Sequence, residues 1–106
     1  MKPKIRTLLT ELRRKLKAIY GPRLVRLVLF GSQSRGDATA SSDIDVLVVL
    51  QGLVDPGKEI ARTGKAVASL SLKYDAVVSC SFISDERYSE ERSPLLVNVR
   101  DEGLPI

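Results

Sequence analysis

Ile5, Leu8, Leu9, Leu12, Leu16 and Ile19 recur at helical spacing with charged residues between them, which predicts a helix over 3–20 that buries one stripe. Pro3 suits a first helical turn, and Gly21, followed by Pro22, suits the left-handed residue that ends a helix. The pattern then changes. Leu24 to Phe30 is a dense apolar run broken only by Arg26, a first strand that delivers the chain to Gly31-Ser32. A short helix is expected from Ser32 to about Thr39, with Ala38 to Ser42 reading as a loop. Asp43 to Leu50 forms a second strand. Its stretch Val46-Leu47-Val48-Val49-Leu50 has no polar alternation, as in a central strand covered on both faces. Gln51 to Gly57 is a loop before a helix from about Lys58 to Leu72, whose apolar stripe includes Ile60, Ala61, Val67 and Ala68. Tyr74 to Phe82 reads as a third strand and Ser84 to Glu91 as a polar, irregular stretch with room for a helical turn. Ser93-Pro94 opens a last helix as N-cap and first helical proline, Glu102 closes it and Gly103 stops it.

A chain of 106 residues holds one domain, 1–106, with a single core and no room for a second. The mix of 43% apolar and 28% charged residues is that of a globular protein, and no run approaches the roughly eighteen apolar residues of a membrane span. No signal-peptide pattern opens the chain, so the cytoplasm is the expected location and no membrane partner is expected. Cys80 is the only cysteine, which excludes an internal disulfide and reads as a buried, inert thiol. The absence of histidine excludes Ser-His triads and His-containing zinc sites. Carboxylates must do any acid–base chemistry.

The net charge of +4 is uneven: Glu11 is the only acid between Met1 and Gly36. Such a lobe attracts polyphosphate, nucleic acid or an acidic protein. Arg13, Arg14, Lys15 and Lys17 are read as the solvated face of the first helix. No aromatic residues interleave with them to stack bases, so nucleic acid is not an expected partner.

The chemistry concentrates in Gly31 to Val46. Asp43 and Asp45, two residues apart on a strand, project from one face while Ile44 points the other way. Two carboxylates so close raise each other's pKa unless a cation lies between them, and oxygen ligands suit Mg²⁺. Gly31 lets a backbone pass close to a ligand, and the Ser32 hydroxyl can donate to phosphate oxygens. The Lys-Ser/Thr pair of a Walker loop is missing, so this is polyphosphate binding of another kind. Ser32 lies at the exit of the first strand and the Asp pair at the start of the second, so their meeting requires antiparallel strands. The helix after the second strand is long enough for a parallel crossover, which brings Asp75 beside the pair. The expected fold is α/β (α+β), a mixed three- to four-stranded sheet with helices mainly on one face.

Gly31-Ser32, ten intervening residues, then Asp43-Ile44-Asp45 resembles the signature of the minimal nucleotidyltransferases (MNT), small members of the DNA polymerase beta superfamily. Arg35-Gly36-Asp37 and Ser42-Asp43 match that group as well, and its order of elements can be laid on nearly the whole chain. The resemblance implies the nucleotidyltransferase fold, ATP as substrate and two Mg²⁺ ions. Asp43 and Asp45 would bridge the ions and Asp75 would be the third metal-binding carboxylate, with Gly31, Ser32 and Arg35 on the nucleotide. It further implies an antitoxin paired with a HEPN-domain ribonuclease toxin, transferring AMP to a tyrosine of that toxin. Two other functions stand beside it: an antitoxin acting by binding alone, and a small-molecule transferase of the aminoglycoside type whose cleft is completed by a homodimer or a partner subunit.

Each residue also has a plainer reading. Asp75 can be a solvated aspartate at a strand start, Asp43 can cap a turn with Ser42, Asp37 can stabilise the motif helix, and Ser32 can simply shape the turn. Arg35 either contacts phosphate through its forked donors or pairs with Asp37 or a neighbouring segment.

Overall fold

A strand with no polar alternation needs cover on both faces, and in the structure, a computed structural model describing residues 2–35 and 43–106 apart from the Ser32 side chain, Ile44–Leu50 has it. The described elements are α1 Pro3–Tyr20, β1 Leu24–Phe30, α2 Ser32–Arg35, β2 Ile44–Leu50, α3 Pro56–Tyr74, β3 Val78–Ser84, α4 Asp85–Glu90, α5 Pro94–Glu102 and β4 Leu104–Pro105. The expected loop over 38–42, the end of the motif helix, and the readings at Gly36, Asp37 and Ser42 lie outside the described residues.

The sheet runs in the order β3-β2-β1-β4. β1 pairs antiparallel with β2 and with β4, and β2 pairs parallel with β3 through the α3 crossover, giving the expected mixed sheet. Ile44, Val46, Val48 and Leu50 point into a core with Leu8, Leu12 and Leu16 of α1 and Leu70 of α3. Leu47 and Val49 point the other way, toward Tyr88 of α4 and Leu96 and Val99 of α5. The two long helices therefore cover one face and the two short ones part of the other. Each fully buried Leu is worth about 1.5–3 kcal/mol, so β2 holds both layers together. No helix among the described residues is long and apolar enough to cross a membrane.

The boundaries of α1 follow its end signals: Pro3 lies in the first turn, and Gly21, at φ +56°, donates its N–H to Lys17 O. Its buried stripe ends in Tyr20, whereas Ile19 is 36% exposed. Two expectations are corrected. The buried face of α3 is not Ile60, Ala61, Val67 and Ala68. It runs through Glu59, Thr63 and Leu70, with Val67 partly buried, and leaves Ile60 58% exposed. Glu59 can be inside because its carboxylate accepts from the Tyr20 hydroxyl at 2.9 Å and from Asp55 N at 3.4 Å. The second correction concerns the third strand. Helix α3 continues through Tyr74, so β3 begins at Val78, and the helical turn allowed for in the polar stretch after it is the six-residue α4 with Ser84 as N-cap.

Candidate active site

The end of β1 and the start of β2 lie side by side, with Phe30 paired to Asp45. Gly31 follows at φ +74°, a backbone conformation that costs an L-residue about 1–2 kcal/mol. A Cβ there would also sit 2.7 Å from Asp45 Oδ2. Glycine is required twice over, for the turn and for the space beside the carboxylate. The turn closes as Ser34 N and Arg35 N donate to Gly31 O at 3.2 and 3.3 Å, and the Ser34 hydroxyl donates to the same oxygen at 2.9 Å.

Asp43 and Asp45 project to the face that carries α4 and α5, because Ile44 and Val46 are committed to the α1–α3 core. Asp43 is exposed and Asp45 half-buried. Burial, and then the negative charge of Asp43, push the Asp45 carboxyl above its ordinary range. A divalent cation would relieve both effects. The donor set of two hard carboxylates fits Mg²⁺, which is commonly held by one or two carboxylates plus water and substrate phosphate.

The remaining candidates fall into different places. Ser32 begins α2, and its side chain lies outside the described residues. Arg35 ends that turn half exposed and makes an ion pair with Glu102 of α5 at 4.0 Å, a contact with a neighbouring segment that leaves it within reach of solvent and anions. Asp75 is the left-handed residue after α3, at φ 49° and ψ 55°. Its N–H donates to Leu72 O at 3.4 Å, and its own carbonyl accepts from Lys4 Nζ at 3.5 Å. The structure brings Asp43 and Asp45 together. It does not gather Asp75 with them: among the described residues no group of three side chains suited to a metal forms.

The residue that does lie next to Asp45 on β3 is Ser79, its direct register partner, exposed on the same face of the sheet. Sequence reading missed it because starting the third strand at Tyr74 gave the strand-start role to Asp75. Cys80, on the opposite face, has its thiol pushed up to about 11 by burial, in keeping with an inert core cysteine.

With this geometry in place, likeness to known proteins becomes informative. A family model described as "Nucleotidyltransferase domain" matches residues 5–104. A protein of Methanocaldococcus jannaschii, provisionally named a protein adenylyltransferase, is 38% identical over 89 residues, covering 83% of this chain and 83% of that one. Among solved structures, one provisionally named a minimal nucleotidyltransferase superposes with a TM-score of 0.62 at 24% identity, covering 100% of this chain and 97% of its own. Another, described as a tri-AMPylated Shewanella oneidensis HEPN toxin in complex with MNT antitoxin, gives a TM-score of 0.52 at 20% identity over 92% of this chain and 70% of that chain.

Proposed function

The chain belongs to the nucleotidyltransferase domain family, and from that premise we propose that it moves AMP from ATP to a hydroxyl on a protein partner, namely a tyrosine of a cognate HEPN-domain toxin. The observation that carries this reading is the Asp43–Asp45 pair set against a glycine turn with no room for a side chain. The name of the archaeal relative supports protein as the acceptor class, and the AMPylated toxin in the Shewanella complex supports the partner.

Asp43 and Asp45 would hold Mg²⁺, which supplies charge neutralisation at the phosphates and activation of the acceptor oxygen. The second ion expected from sequence rested on Asp75, so the proposal keeps only the ion that the pair can hold. Gly31 lets phosphate oxygens approach the pair without a clash. Ser32, at the start of the same turn, binds the departing phosphates, while Arg35, paired with Glu102, borders the other end of the nucleotide. The acceptor oxygen bonds to the α-phosphorus, the bond from that phosphorus to the bridging oxygen breaks, and pyrophosphate leaves. The proton of the hydroxyl passes to a carboxylate oxygen of the pair.

The test is incubation with labelled ATP, Mg²⁺ and the product of the neighbouring gene, followed by mass mapping of the modified residue. The expected result is one or more added AMP groups on tyrosine, lost with Asp45→Asn by at least about a thousandfold, while the circular dichroism of the variant matches wild type. Full transfer by a folded Asp45→Asn protein would overturn the proposal.

A further inference from the structure

A cavity of about 240 Å³ opens at Gly31 and runs between β1, α2 and α5. It lies on the sheet face that carries the aspartates, since Phe30, on its wall, is the register partner of Asp45. Gly31 therefore touches both: its backbone borders the cavity, and its missing Cβ leaves the space at Asp45 Oδ2. A ligand whose phosphates lie against the carboxylates would have its other end here.

The wall chemistry is that of a site for a flat, weakly polar group. Phe30 and Leu95 supply apolar surface, and Leu95 is left 55% exposed at the cavity, an apolar side chain in water that a ligand would cover. Opposite polarity comes from three residues, Arg35, Asn98 and Glu102. Leu95, Asn98 and Glu102 share one face of α5 at spacings of three and four residues, so the helix presents them together. Asn98 stands in the middle of that helix, where asparagine is a poor choice because it competes with the backbone for hydrogen bonds. Its neutral amide offers one acceptor and two donors, the complement of the adjacent amino group and ring nitrogen on the edge of adenine.

We infer that this cavity receives the nucleobase of the transferred nucleotide and that Asn98 selects adenine there. The inference rests on the proposed nucleotide transfer and assigns the base end of that same site. Arg35 of α2 and Glu102 of α5, both on the cavity wall, form an ion pair at 4.0 Å.

The test measures binding of Mg²⁺ AMP-PNP, GMP-PNP and tripolyphosphate by calorimetry to the full chain and to two variants. An aspartate at 98 can accept from both N1–H and the 2-amino group of guanine, while it opposes the ring nitrogen of adenine with a second acceptor. Asn98→Asp is therefore expected to turn the AMP-PNP to GMP-PNP affinity ratio by about tenfold or more toward guanine, with tripolyphosphate affinity within about twofold of wild type. Asp45→Asn is expected to weaken all three ligands together. An unchanged adenine to guanine ratio in Asn98→Asp, or wild-type protein that binds tripolyphosphate as tightly as AMP-PNP, would overturn the base site while leaving the carboxylate site standing. Undiminished binding of all three by Asp45→Asn would instead remove the nucleotide site on which the inference depends.

Discussion

At Asp45 two unfavourable effects coincide, since partial burial and the charge of Asp43 both oppose ionisation. The folded carboxyl thus has a higher pKa than the unfolded one, and folding takes up a proton between those two values. Stability contributed at this residue is greatest below the unfolded value of 3.8, falls as pH rises through the window up to the folded pKa, and remains low above it. Without metal, Asp45→Asn is therefore expected to raise the unfolding midpoint at pH 7, and the advantage should vanish well below pH 3.8. Magnesium should reverse the order. At ten times its dissociation constant the ion stabilises wild type by about 1.4 kcal/mol and the variant by much less. Urea unfolding at the two pH values, with and without MgCl₂, reads all of this, and an Asp45→Asn protein less stable than wild type at pH 7 in chelator would contradict it.

The junction between α3 and β3 shows what local sequence can and cannot specify. Helices α1 and α5 end where their residue types say they must: Pro3 and Gly21 for one, Ser93-Pro94 and Gly103 for the other. Helix α3 instead stops at an aspartate in the left-handed conformation, and Asp75 carries no signal that distinguishes this from an acidic side chain at a strand start. The same blindness affected the buried stripe of α3. A carboxylate such as Glu59 counts as solvent-facing in any hydropathy pattern, and only the tertiary contact with Tyr20 makes its burial tolerable. The Asp43–Asp45 pair and the Gly31 turn were legible because they depend on side-chain alternation and backbone freedom. Ser79 beside Asp45 was not, because parallel register is set by packing between elements. If Asp75 acts as a helix stop, Asp75→Gly should stabilise the protein by about 0.5–1 kcal/mol, glycine being unstrained at φ 49°. Transfer should then stay within a fewfold of wild type. A variant that keeps its urea midpoint but loses transfer would return Asp75 to the metal site.

At the scale of the whole molecule, a body of 33 × 28 × 20 Å places its carboxylate pair at one end of a four-stranded sheet, with Asp43 and Ser79 open to solvent. On the proposed reading, Gly31, the cavity at α5 and the Asp pair would supply the nucleotide side of a cleft. The acceptor hydroxyl, on the proposed function, comes from the partner protein. Two ways of controlling a toxin then separate physically. If the partner is inactivated by covalent AMP, binding needs to last only one turnover, and sub-stoichiometric antitoxin suffices. If it is merely sheathed, protection follows mass action and needs one antitoxin per toxin. Co-expression of the HEPN partner with wild type or with the Asp43→Asn/Asp45→Asn double variant distinguishes them. Loss of the two carboxylates is expected to abolish growth rescue even though the variant still co-purifies with the toxin. Rescue by the double variant at wild-type dose would show that contact alone neutralises the partner and would leave the carboxylate pair without its proposed biological task.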